Sequence, residues 1–390
     1  MEAEAFIFHP NDSQQVLKIL EALKQASHDL HKNPNSEKTD GDGILFCSPA
    51  IKALLELEHE SESKSILSND PHLTILSAHL TALKTLVHKS CNTGRRHRGL
   101  KSFLIRRVNS HEISRIAGSI ESEIQAWIDR EFVKTLTQTL HRAAETKHEV
   151  VIDLIERFEN RIASGFDREL QDLILRSKVF NKLETVLCEC KFSKTVRETS
   201  AFAIAELVRF NKDVFVGQVL MSKTVCALIS LSSVRSIQIL CTLIKSIKSP
   251  IVDEIVSNGK IPKIINLLTS SDFSIRTMAM ECVMEIGYYG RKDAIDAMLE
   301  EDLVKKLVEL QRSGTRGVLI DVRGVKSSIE MHPFASCVAR FAVQFEVGEG
   351  LRRRERRALK QEVLQRVRET DVCEEEAATI VAEILWGASP

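Results

Sequence analysis

Aromatic residues are scarce in this sequence: 5% of 390 residues, with two tryptophans and two tyrosines. Strands favour aromatic and β-branched side chains, so the shortage speaks against a sheet protein, and only eight prolines interrupt helices. An excess of one charge is missing as well. Lys+Arg and Asp+Glu stand at 54 each, so no global field points to nucleic acid or to an acidic partner. No run approaches the roughly 18 apolar residues that cross a bilayer. Residues 1–5 (MEAEA) lack the positive start of a signal peptide, and Glu2 excludes N-myristoylation. No Walker A loop, Gly-x-Ser-x-Gly elbow or dinucleotide fingerprint occurs; that absence does not exclude an enzyme, but the helical repeat further along the chain makes a non-enzyme without cofactor the expectation.

What is present suits a folded interior. Hydrophobic residues make up 43% and charged ones 28%, enough to bury a substantial core. Nine cysteines are odd in number and scattered, and most fall inside apolar helical patterns. That usage suggests a reducing compartment, hence cytoplasm, nucleus or both. Eleven of the twelve histidines fall within residues 1–148. The pairs His28/His31 and His72/His79 come with no cysteine or carboxylate at zinc-like spacing, so no metal is expected. Residues 40–43 (DGDG) lack the remaining positions of a calcium loop.

The first 148 residues read as amphipathic stretches between breaks. Breaks are expected over 31–49, 68–71 and 90–99. Leu73, Leu76, Leu80, Leu83 and Val87 share one helical stripe, and a long helix is expected to carry Ile120, Ile124, Trp127, Ile128, Leu136 and Leu140. A helical bundle is the natural arrangement of such elements.

Beyond about residue 165 the pattern becomes a repeat. Residues 179–187, 224–231, 260–268 and 303–310 align on Leu183, Leu228, Ile264 and Leu307, which stand 45, 36 and 43 apart. Longer helices are expected over 196–210, 234–247 and 275–289, opening with Val196-Arg197, Val234-Arg235 and Ile275-Arg276. A period near ~40 residues marks arrays in which each helical pair must stack on its neighbours to bury its apolar face.

Residues 258–276 (NGKIPKIINLLTSSDFSIR) resemble an armadillo repeat: a glycine, Ile-Pro opening a Leu-rich helix, a polar turn, then a second helix. Gly259 suits a left-handed helix end and Pro262 a helix's first turn. The whole chain is similar to plant armadillo-repeat proteins with an N-terminal helical bundle like that of plant U-box ubiquitin ligases. The Cys-Pro-Ile opening and Asp-Pro-Val segment of a U-box are absent, so ligase activity is not carried over. The resemblance implies an all-α fold: an N-terminal bundle (1–148), a short armadillo-like α-solenoid (149–347) and C-terminal capping helices (348–390). It also implies a concave groove lined by each repeat's third helix. The family's groove Trp falls on Phe202, Leu240, Glu281 and Arg340, and its Asn on Glu206, Ile244, Glu285 and Gln344, so the Trp–Asn ladder is lost.

The expected partner-binding positions are therefore Phe202, Glu206, Glu281, Glu285 and Gln344, for a protein or peptide ligand of some basic character. Residues 312–331 read as a loop inserted in the fourth repeat. A second candidate is the basic segment 94–108, with Arg95, Arg96, Arg98, Lys101, Arg106 and Arg107 and no acid among them. Such a helix suits an anionic membrane surface or a partner protein. Nucleic acid is disfavoured because no recognised module accompanies it. Arg352, Arg353, Arg354, Arg356 and Arg357 form another basic run, which resembles a short nuclear-localisation cluster and is read here as a solvated face answering nearby acids. Two alternatives to a scaffold stay open: an accessory part of a ubiquitin-ligase pathway, and a peripheral membrane adaptor using 94–108. The sequence does not set the oligomeric state.

Overall fold

In a computed structural model of the chain, residues 24, 25, 27, 28, 71–94, 100–143, 146–318, 333–370 and 373–386 are described, and they hold seventeen α-helices, one 3-10 turn and no strand. The fold among these residues is all-α. Two compact units divide the chain, one of residues 1–135 with 168–177, the other of 136–167 with 178–390.

The first unit holds α1 (Pro71–Gly94), α2 (Leu100–His141) up to residue 135, and α4 (Arg168–Arg176). On α1 the predicted stripe buries Leu76, Leu80 and Leu83. On α2, Ile113, Ile116, Ile120 and Ile124 are buried one turn apart. Glu121 lies 3.0 Å from His28 Nδ1, and His31 lies outside the described residues. One expected break is corrected here. Helix α1 continues to Gly94 and does not end at Ser90, because no proline removes an N–H before that glycine. The basic segment's second half and the expected long helix are one 42-residue helix for the same reason. The expected break at 31–49 lies outside the described residues.

The second unit is built of stacked repeats. Helix α3 (His148–Ala163) precedes α5 (Val179–Cys188) and α6 (Lys194–Phe210). Three-helix repeats follow: α7 (Lys212–Leu220), α8 (Thr224–Leu231) and α9 (Val234–Ile247); then α10 (Ser249–Ser257), α11 (Ile261–Asn266) with its 3-10 turn (Leu267–Thr269) and α12 (Phe273–Tyr289). The last is α13 (Lys292–Glu300), α14 (Leu303–Val318) and α15 (Cys337–Val347), after which come α16 (Arg353–Glu369) and α17 (Glu374–Trp386). The third helices form a ladder, α3 on α6, α6 on α9, α9 on α12 and α12 on α15, with α17 closing it. The first helices form another, α7 on α10 and α10 on α13. This is the serial stacking of an armadillo-like solenoid, in which each repeat is buried by its neighbours.

The anchors explain the period. Leu183, Leu228 and Leu307 have 0% exposure and Ile264 has 1%, each the centre of a second helix. Full burial of one such side chain contributes about 1.5–3 kcal/mol. Caps fix the third helices: Ser193 accepts from Val196 N, Asp272 from Ser274 N at 2.8 Å, and Ser233 and Ser236 form a reciprocal box. Each cap satisfies an otherwise orphaned N–H. The arginine that opens these helices has a purpose the sequence did not show. Arg197 Nε donates to Leu187 O at 2.8 Å and Arg276 Nη1 to Ser270 O at 2.7 Å, tying the third helix to the end of the second. Gly259 takes φ +60 and donates to Val256 O, while Pro262 sits in the first turn of α11.

Between α15 and α16 the chain presses on the turn after α12. Glu349 N donates to Tyr288 O at 2.8 Å, and a Cβ on Gly350 would stand 2.0 Å from Gly290 O. The expected loop over 312–331 is also corrected, since α14 stays helical to Val318. Residues 319–332 lie outside the described residues.

Candidate protein-interaction face

The third-helix ladder presents one row of solvent-facing side chains per helix. On α9 the row is Arg235, Gln238, Thr242 and Lys245, spaced three, four and three residues apart, while Leu240 and Ile244 face the core at 2% and 0% exposure. The family's groove register is therefore displaced on α9. On α6 the row includes Glu198, Phe202 and Arg209; on α12, Glu281, Glu285 and Tyr288; on α15, Arg340, Val343 and Val347.

Contacts between neighbouring helices join these rows. The Arg235 guanidinium lies 5.8 Å from the centre of the Phe202 ring, bridging α9 to α6. Lys245 Nζ reaches Glu281 at 3.3 Å and Glu285 at 3.2 Å, bridging α9 to α12. Gln344 on α15 packs beside Gly287 on α12, where a Cβ would stand 3.5 Å from the glutamine's own. Near the end of the same face, Tyr288 and Tyr289 stack edge-on at 4.8 Å, and Lys248 Nζ sits 2.8 Å from Glu349 and 5.9 Å from the Tyr289 ring centre.

Each residue expected to line the groove has a definite place. Phe202 is half-buried beneath Arg235, and Glu206 is buried at 8% exposure, with its carboxylate 2.9 Å from Arg209. Glu281 is exposed, Glu285 half-buried, and the two share Lys245. Gln344 is half-buried. All three glutamates thus hold cations from the chain itself, and the row alternates acid, base and acid. Two cations, Arg209 and Lys245, answer the three glutamates, so the face is not uniformly acidic. Arg235, Lys245 and the tyrosine pair are the features sequence reasoning missed. The polar spacing from 235 to 245 was the available signal.

Glu159 on α3 stands apart. Its Oε1 is buried with no hydrogen-bond partner among the described residues. Burial pushes its carboxyl up to about 7, the charges of Glu156 and Glu206 push the same way, and Arg235 opposes them.

Of the basic segment, Arg95, Arg96 and Arg98 lie outside the described residues; Lys101, Arg106 and Arg107 fall in α2, their side chains likewise outside them. Among the described residues no group of three or more histidines, cysteines and acids is placed to hold a metal ion. The seven cysteines whose side chains are described are free. Cys241 and Cys282 are buried partners on α9 and α12, and their hydrogen bond, with burial, raises the Cys241 thiol well above its ordinary value. Burial pushes Cys337 up to about 12, and its thiol donates to Leu307 O at 3.0 Å. These thiols serve as small core residues.

No family model matches the chain, and no curated protein does. Among solved structures it is similar to a designed armadillo repeat protein, at 14% identity and TM-score 0.41, covering 64% of this chain and 99% of that one. It is similar also to computationally designed armadillo repeat proteins for modular peptide recognition, at 16% and 0.41, covering 65% and 99%. An engineered protein at 15% and 0.38 covers 95% of this chain and 98% of its own. The repeat architecture rests on this chain's own helix order and stacking and takes nothing from those scores. What that order and the exposed ladder define is an armadillo-like α-solenoid.

Proposed function

We propose that the chain is a non-enzymatic scaffold that holds a protein or peptide partner along the third-helix ladder, α3 to α15. The observation that carries this reading is the uninterrupted ladder. Five helices stack in series, and four of them, α6, α9, α12 and α15, turn polar, aromatic or small apolar side chains to solvent, with cross-braces from Arg235, Lys245 and Lys248. Such bracing orders the face before a partner arrives, which lowers the entropic cost of binding. Phe202, Tyr288 and Val343 are the anchors, because large apolar groups ringed by polar ones dominate interface energies. Free buried thiols support a reducing compartment, cytoplasm or nucleus.

Proximity labelling in the native cell type tests the proposal with a Gln238→Arg, Val343→Arg double variant. Both positions are exposed, so folding should survive, checked by an unchanged melting temperature. The expected result is loss of a discrete set of neighbours. An unchanged set would remove the ladder as the binding face.

A further inference from the structure

Helix α16 carries charge of one sign on a face that no other described element covers. Residues 351–370 hold eight basic and three acidic side chains, a net +5 in a chain that is neutral overall. The acids are all engaged: Glu355 accepts from Arg352 N, Glu362 pairs with Arg366, and Glu369 accepts from Gln365. Three of the bases are engaged too. Arg356 clamps the carbonyls of Glu346, Gly348 and Leu351, Lys360 holds Glu346, and Arg366 reaches Leu299 O.

What remains is a row along the exposed face: Arg354, Arg357, Gln361, Gln365 and Arg368, with Arg352 and Arg353 exposed at its head. The spacing of three, four, four and three residues keeps the row on one side for roughly 21 Å. Among the described residues no carboxylate lies within ion-pair distance of these five arginines. The acids expected to answer them do not: Glu376 is taken by Arg312 on α14, at 2.7 Å. A cap on a solenoid's end needs a polar outer face, but not one of a single sign. Placing arginines in a helix's first turn also opposes the helix dipole, at a cost of a few tenths of a kcal/mol each.

We infer that the exposed face of α16, headed by Arg352, Arg353, Arg354 and Arg357 and ending at Arg368, is a second docking surface that takes a carboxylate-rich segment of a partner protein. Planar guanidinium groups grip carboxylates with two hydrogen bonds, and the interleaved Gln361 can meet a peptide backbone. The row has no aromatic side chain on which a base could stack and no large apolar one to enter a membrane, which favours protein over nucleic acid or lipid. This surface is separate from the third-helix ladder and does not depend on it.

The test is fluorescence anisotropy of the full chain with a labelled twelve-residue peptide of alternating glutamate and glycine, at 50 and 300 mM salt. One variant carries Arg353→Gln, Arg354→Gln, Arg357→Gln and Arg368→Gln. A second removes the same number of exposed charges elsewhere, through Lys194→Gln, Lys212→Gln, Lys263→Gln and Lys305→Gln. Circular dichroism confirms that both fold. The expected result is binding that weakens at least tenfold in the arginine variant, stays within twofold of wild type in the lysine variant, and falls with salt. Equal loss in the two variants, or none in either, would overturn the inference. So would tighter, arginine-dependent binding of a twenty-nucleotide single-stranded RNA or of phosphatidylserine vesicles, which would assign the face to another class of partner.

Discussion

At the scale of the residue, Glu159 makes stability depend on pH in a definite direction. An unfolded glutamate titrates near its ordinary value of 4.5, whereas the folded carboxyl is raised to about 7. Between those values the folded chain binds the proton more tightly, so this contribution to stability is full below 4.5 and falls as pH rises through about 7. Glu159→Gln should therefore match wild type in urea midpoint near pH 4.5 and exceed it increasingly up to about pH 7, levelling above. A difference that stays constant across that range would show that the carboxyl does not titrate there. Glycines give a second residue-scale contrast. Gly350→Ala would drive a methyl to 2.0 Å from Gly290 O and should lower the melting temperature by several degrees. Gly217, in the middle of α7, has nothing within 4 Å of a Cβ, and Gly217→Ala should stabilise by about 0.5–1 kcal/mol.

At the scale of the element, most of the helices were legible because their anchors and caps are local. Leu183, Leu228, Ile264 and Leu307 announce the second helices, and the third helices begin within two residues of Val196, Val234 and Ile275. What was not legible is the use of the arginine that follows. Arg197 and Arg276 reach back to carbonyls of the preceding helix or turn, while Arg235, at the same place in its repeat, turns out over Phe202. The arginine follows a β-branched residue in all three; the neighbour that decides the use of Arg235 is about 33 residues away in sequence. Two substitutions test how far these elements carry the fold. Asp272→Ala removes the cap of α12 and should cost about 0.5–2 kcal/mol by urea denaturation. Leu228→Ala empties the centre of α8 and should cost about 2–5 kcal/mol, with far-UV ellipticity retained at low denaturant.

At the scale of the whole molecule, the second unit is held by contacts between neighbours in a line, and the same contacts shape its exposed face. The repeat period told where third helices would fall, but not which turn of each would meet the next. Lys245 and Glu281 are 36 residues apart, and their meeting depends on the register of α9 against α12. For that reason Glu206, Glu281 and Glu285 read from sequence as an acidic groove, whereas the folded chain pairs them with two cations of its own, Arg209 and Lys245. The loss of the Trp–Asn ladder, by contrast, was plain in the sequence, because it needs only residue identity.

The central claim is that a protein partner lies along the third helices, and site-specific photocrosslinking tests it most directly. A photoreactive phenylalanine analogue would be placed in turn at Gln238 and Val343 on the ladder, and at Lys212 and Lys263 on the first and second helices, all exposed. The account predicts that positions 238 and 343 crosslink to the same protein in cells, and that 212 and 263 do not. Crosslinks confined to 212 and 263 would contradict it and move the binding surface to the opposite helices of the repeat.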